Sequence, residues 1–159
     1  MRKINYSYQN MAGVIAIYAV PADWFVKPIE SYRQYSAWSA IFDEDGTIAI
    51  PVYQGDRFAF VENQSLEEGG MLFNTQISGI IPMQSIDPLS ESYIDELMRG
   101  EWIVITQDAN GDTLLCGTTD VPMIFTANNT TGSSSELNGR SFTFTSKNAA
   151  PSIKLLPLT

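Results

Sequence analysis

Cys116, Ser133–Ser135, the acids of Asp43-Glu44-Asp45 and the run Asp108-Ala109-Asn110-Gly111-Asp112 are the residues whose type and spacing could support chemistry. Each needs a partner. A serine or cysteine nucleophile is ordinarily activated by a base, most often histidine, and this 159-residue chain has no histidine. The four lysines form no S-x-x-K spacing. Cys116 lies in the apolar run Thr113-Leu-Leu-Cys116, where a packed, inert thiol is expected. As the lone cysteine it can form neither an internal disulfide nor a cysteine-rich zinc site. The run from Asp108 begins like a calcium loop. Yet the sixth and twelfth positions, which need glycine and a bidentate glutamate, are Thr113 and Thr119. A hairpin turn is the better reading there, and a solvated turn at Asp43–Asp45. The sequence therefore predicts no enzyme, no cofactor and no metal.

Charge is unevenly spread. The chain carries 18 acids against 9 Lys and Arg, a net charge of −9. Residues 1–35 sum to +2 and residues 137–159 to +3, while residues 36–136 sum to −14. Such a balance argues against tight nucleic-acid binding, which relies on cations displacing counterions from phosphate. Basic ends flanking an acidic middle suit contacts between copies of one chain. An acid-rich surface could also line a channel that must not retain nucleic acid. The longest apolar run, Met11–Val20, is too short for a membrane-spanning helix, and Gly13–Val20 reads as a strand buried on both faces.

Most of the remaining segments are strand-like. Trp38–Phe42 and Thr47–Tyr53 flank a turn at Asp45-Gly46. Arg57–Glu62 alternates, with Phe58 and Phe60 on one face, and Gly70–Ile81 is a long strand with a predicted bulge near Gly79. One helix is expected over about 87–99. It is capped by Asp87, opened by Pro88 and stopped by Gly100, with Leu89, Tyr93 and Leu97 on its apolar side and Ile94 and Met98 beside them. Trp102–Gln107 and Thr113–Gly117 form the clearest hairpin, around Asn110-Gly111. Pro122–Thr126 is another strand. Asn138-Gly139 is a turn candidate, and Arg140–Ser146 alternates with Phe142 and Phe144 inward. Residues 62–70 and 127–137 read as polar loops that could order on assembly. Pro151 and Pro157 interrupt the C-terminal segment. The expected fold is mainly β: a single antiparallel barrel or sandwich domain over 1–159, with one short flanking helix and extended terminal segments.

The block Gly100–Thr118, the step Gly117-Thr-Thr-Asp-Val-Pro122 and the downstream Asn138-Gly-Arg-Ser-Phe-Thr-Phe144 resemble the C-terminal half of tail structural proteins of phages and prophages from gut Bacteroidetes. The order of elements is similar to that of tail-tube proteins and the related tube protein of type VI secretion. The resemblance covers about 45 residues; the first 85 match only in strand content. It implies a non-catalytic subunit, assembled in the bacterial cytoplasm into the virion tail. Its partners would be copies of itself in a ring, usually hexameric, and other tail proteins. It implies no membrane contact. On this reading Trp24, Trp38, Arg140 and Lys147 are interface candidates, and Gly46, Asn110, Gly111 and Gly139 shape the turns. A reading from another class is a carbohydrate- or surface-binding β module of a gut bacterium, with Trp24 and Trp38 as stacking residues.

Overall fold

The computed structural model describes residues 13–24, 48–50, 58–82, 88–109, 111–130 and 139–155. Nine strands and one α-helix lie among them: β1 (Val14–Pro21), β2 (Ile48–Ile50), β3 (Ala59–Glu67), β4 (Gly70–Pro82), α1 (Pro88–Arg99), β5 (Trp102–Asp108), β6 (Thr113–Cys116), β7 (Ile124–Thr130), β8 (Gly139–Asn148) and β9 (Ile153–Leu155). A single 3-10 turn, Ala22–Trp24, follows β1. The strands form two separate sheets, ordered β2-β1-β5-β6-β9 and β3-β4-β8-β7. Every pairing between named strands is antiparallel. The sheets do not close into a barrel, so the arrangement is sandwich-like.

The core explains why these segments became strands. Ile17, Ala19, Val104 and Cys116 from the five-stranded sheet meet Ile77, Phe125, Phe142 and Phe144 from the four-stranded sheet, with Ile94 and Leu97 of α1 packed into the same cluster. The four-stranded sheet turns its aromatic residues inward in register. Ile77 pairs with Phe60 on one side and Phe144 on the other, and Phe144 pairs with Phe125. Phe142 lies between Gly79 and Ala127. Ring centroids 5.0 to 6.0 Å apart, two of the pairs edge-to-face, are the separations aromatic quadrupoles favour. The five-stranded sheet is apolar on its other face too: Val20, Ile103, Ile105, Leu115 and Ile153 form a second buried cluster. This matches the two-faced apolar pattern of Gly13–Val20.

Several boundaries differ from the sequence reading. Residues 62–70 are not a loop. β3 runs to Glu67 and pairs without a break down to Glu67 opposite Gly70, so only Glu68 and Gly69 turn. Its polar residues are accommodated because Asn63, Ser65 and Glu67 point away from the core, Glu62 is hydrogen-bonded, and the turn end is exposed on both faces. Residues 127–130 likewise extend β7. Gly139, predicted as a turn residue, instead opens β8 opposite Thr130 and Pro82. The predicted bulge at Gly79 is absent, since the β4–β8 register is continuous from Phe73 to Pro82. Glycine is there for space: a Cβ would run into the Phe58 ring and come within 2.9 Å of Phe142. Gly100 follows the helix as expected, but it lies outside the left-handed glycines. A Cβ there would meet the Trp102 indole at 2.7 Å. That indole donates to the Leu97 carbonyl at 2.9 Å, locking the helix end over β5. The segment after Pro151, read as interrupted, contributes β9, which pairs with β6.

The β5–β6 hairpin forms where Asn110-Gly111 places it. Gly111 N–H donates to Asp108 C=O at 3.1 Å, and Gly111 has φ of 84°, a conformation cheap only for glycine. The strand pair closes again through Asp108 N–H to Asp112 C=O at 3.0 Å. Three residues, 109–111, therefore make the loop, rather than the tightest two-residue turn. The Asp45-Gly46 turn, the Trp38–Phe42 strand and the Asp87 cap lie outside the described residues.

Gly79→Ala should lower unfolding free energy by about 1–3 kcal/mol through overpacking. Gly111→Ala should cost about 1 kcal/mol through backbone strain. Gly69→Ala, with open space around it, should fall within about 0.5 kcal/mol of the parent. Urea denaturation curves of the three variants check this order.

Candidate functional site

Of the groups that sequence marks as chemically capable, Cys116, Asp108 and Asp112 lie among the described residues, and Ser133–Ser135 and Asp43–Asp45 lie outside them. Cys116 is fully buried at the centre of the sandwich. Burial away from water pushes its thiol up to about 12. The nearby Glu62 carboxylate raises it further, while the hydroxyls of Ser152 and Thr106 hold it down in part. A thiol in that state is a poor nucleophile.

Glu62 was not singled out in the sequence, yet it organises this region. It stands opposite Thr75 in the β3–β4 pair, on the core side. Its Oε2 accepts hydrogen bonds from Thr75 Oγ1 at 2.8 Å, from Ser152 Oγ at 2.6 Å and from the Ser152 backbone N–H at 3.0 Å. One carboxylate oxygen thus ties the four-stranded sheet to the segment entering β9 on the other sheet. Ser152 is 90 residues away in sequence, so no local pattern announces the contact. A serine and a carboxylate at this distance resemble part of a catalytic pair. Here, however, the hydroxyl is engaged beside a backbone N–H bond to the same oxygen, an arrangement suited to holding a strand in place.

The two described C-terminal cations are also committed within the chain. Lys147 pairs with Glu67, and Lys154 with Asp112 at 3.0 Å. Both pairs are about half exposed, so each contributes little stability. They do show basic and acidic segments meeting inside one molecule. The described acids fall into separate groups, the largest being Asp23, Asp95, Glu96 and Glu101 around one concavity. Glu67 and Glu68 lie at the β3–β4 turn, Asp95 and Glu96 on α1, and Asp108 and Asp112 at the β5–β6 hairpin. Asp112 N–H donates to Asp108 Oδ1 at 2.9 Å, as an ordinary turn closure does. Among the described residues no group of three or more acidic, cysteine or histidine side chains could hold a metal ion.

Two open concavities remain. One, of about 700 Å³, lies between the 3-10 turn and the end of α1 and is lined by Asp23, Asp95, Glu96, Glu101 and Arg99. The other, of about 530 Å³, crosses the uncovered face of the four-stranded sheet. Its floor is a row running straight across the four strands: Val61, Gln76, Thr145 and Ile124, each opposite the next. The adjoining row is Asn63, Asn74 and Lys147. Lys147, an interface candidate from sequence, therefore lines this groove. The side chains of Trp24, Trp38 and Arg140, together with Gly46 and Asn110, lie outside the described residues, so Lys147 is the one interface candidate whose side chain is described. Part of the pattern that could have revealed the groove was present: a one-residue offset from Phe125, Phe142 and Phe144 gives outward Thr126, Thr143 and Thr145, while beside Phe58 and Phe60 it gives Ala59 and Val61. Comparison with family models, curated proteins and solved structures finds no match.

Two outcomes follow. Cys116 should resist alkylation at pH 8–9 in the native protein and react at once in denaturant, by mass spectrometry. Because the folded thiol titrates above the unfolded one, its contribution to stability is intact below about pH 8.5 and is lost as pH rises toward 12. The slope is about 1 kcal/mol per pH unit, seen as the difference between parent and Cys116→Ala. Separately, Glu62→Leu should cost about 2–3 kcal/mol, because it strands the Thr75 hydroxyl and both Ser152 donors.

Proposed function

We propose that this chain is a non-catalytic structural subunit that associates with copies of itself, as a component of a phage or prophage tail. The observation that carries the reading is the open sandwich. β3 and β7, nine and seven residues long, end the four-stranded sheet and pair on one side only among the described residues. Unpaired strand edges of this length are places where a protein adds further strands, and soluble monomers usually shorten or cover them. Support for the tail assignment comes from the resemblance over 100–118 and 138–144, whose hairpin and alternating last strand are the β5–β6 hairpin and β8. The inward commitment of Cys116, Glu62 and Ser152 agrees with a protein built for contact rather than turnover.

Light scattering after size exclusion, from low micromolar to hundreds of micromolar protein, should show mass rising above the 17.6 kDa of one chain. Negative-stain electron microscopy of the concentrated fraction should show rings or tubes. A strict monomer across that range would sink the reading.

A further inference from the structure

We infer that the uncovered face of the four-stranded sheet is a homotypic interface, on which a second copy of this chain packs its own β3-β4-β8-β7 face. The inference rests on the self-association proposed above and adds to the open strand edges a second contact surface, the face of the same sheet.

The face is defined by register. Three successive rows point away from the core: Ala59, Ser78, Thr143, Thr126; then Val61, Gln76, Thr145, Ile124; then Asn63, Asn74, Lys147. Lys147 is the only ionisable side chain in these rows, and it is neutralised by Glu67 at the sheet's end. Elsewhere the described surface carries acids at its prominent points, on α1 and at the β3–β4 and β5–β6 turns. Two copies of a chain with net charge −9 repel one another. Glu67, at the turn end of the same face, is its one described acid, and Lys147 cancels its charge, so the face carries no net charge among the described residues; repulsion is least when such surfaces meet.

Its shape suits a like partner. Val61 and Ile124, 48% and 46% exposed, stand at opposite ends of the central row with Gln76 and Thr145 between them. A two-fold axis through the middle of that row would set each aliphatic end against its counterpart on the other copy. The amide and hydroxyl groups between would exchange hydrogen bonds, the self-complementarity an isologous contact needs. Staggered strands of nine, thirteen, ten and seven residues (β3, β4, β8 and β7), at ~3.4 Å rise and ~4.8 Å spacing, give a surface on the order of 600 Å². That approaches the roughly 800 Å² per partner of a standard interface. Sheets stacked this way keep their faces about 10 Å apart.

The test is sedimentation equilibrium of the full chain and three single variants, with circular dichroism and thermal melts confirming that each is folded. Thr145→Glu and Ile124→Glu place a charge on the face at exposed positions. Met98, expected beside the apolar side of α1, is instead 48% exposed, and Met98→Glu places the same charge there. The face variants should weaken self-association at least about tenfold, with Met98→Glu close to the parent. Raising salt should strengthen association of the parent, because it screens the net repulsion and no cross-interface ion pair is lost. Oligomers that persist unchanged in both face variants would overturn the assignment of the surface while leaving self-association standing. Equal weakening by all three variants would overturn it as well, because net charge alone would then explain the effect. A parent that stays monomeric throughout removes both proposals. Glycan-array binding by the parent that is lost in Gln76→Ala, without self-association, would assign the face to a carbohydrate and overturn the inference.

Discussion

The phenylalanine pack of the four-stranded sheet fixes nearly everything else on that side of the molecule. Phe125, Phe142 and Phe144 are buried against one another, and Phe58 reaches Phe142 across the space left by Gly79. Strand side chains alternate with a period of two, so sliding any strand by one residue would turn its aromatics to water and its threonines to the core. Burying one phenylalanine is worth about 2–3 kcal/mol, so a slipped register would forfeit several such terms at once. The polar rows outside are held in place by the apolar rows inside.

The five-stranded sheet obeys a different constraint. It is apolar on both faces, so alternation cannot tell its two sides apart. Position comes instead from specific polar contacts. Trp102 and Met123 exchange two backbone hydrogen bonds, at 3.1 and 2.8 Å, joining β5 to the residue before β7. Glu62 gathers Thr75 and Ser152 at a second point. These few directional bonds orient the sheets, while the apolar cluster between them supplies the bulk of the attraction.

Much of the fold was legible in the residues. The two-faced strand at Gly13–Val20, the amphipathic helix ending at Gly100, the β5–β6 hairpin and the inward Phe142 and Phe144 are local patterns, and local patterns survive translation into structure. Errors arose where the deciding partner was distant. The β3–β4 ends looked like loop because Asn63, Gln64 and Glu67 are polar, yet the turn end of this hairpin is exposed on both faces and accepts polar residues freely. Gly79 looked like a bulge, and Gly100 like a helix stop set by backbone freedom. Both are explained by aromatic rings that need the room. Glu62 carried no signal, because its meaning depends on Ser152 at the far end of the described chain. Of the interface candidates, Lys147 came to lie on the exposed face, and its nearest commitment is an intramolecular pair with Glu67.

The partnership of Glu62 with Ser152 sets a timetable for the nascent chain. Ninety residues separate the two, and β1 likewise waits for β5 before it gains its longest pairing. As the chain is made, the β3–β4 hairpin can form early from neighbouring residues, but its Glu62 carboxylate must remain in water until the segment around Ser152 arrives. Non-local pairings of this kind fold slowly, because loop closure is paid before any contact rewards it. Throughout that interval apolar strands from the five-stranded sheet lack their neighbours. At high local concentration, as when many chains are made together, that interval is when incorrect intermolecular pairing competes with completion of the sandwich.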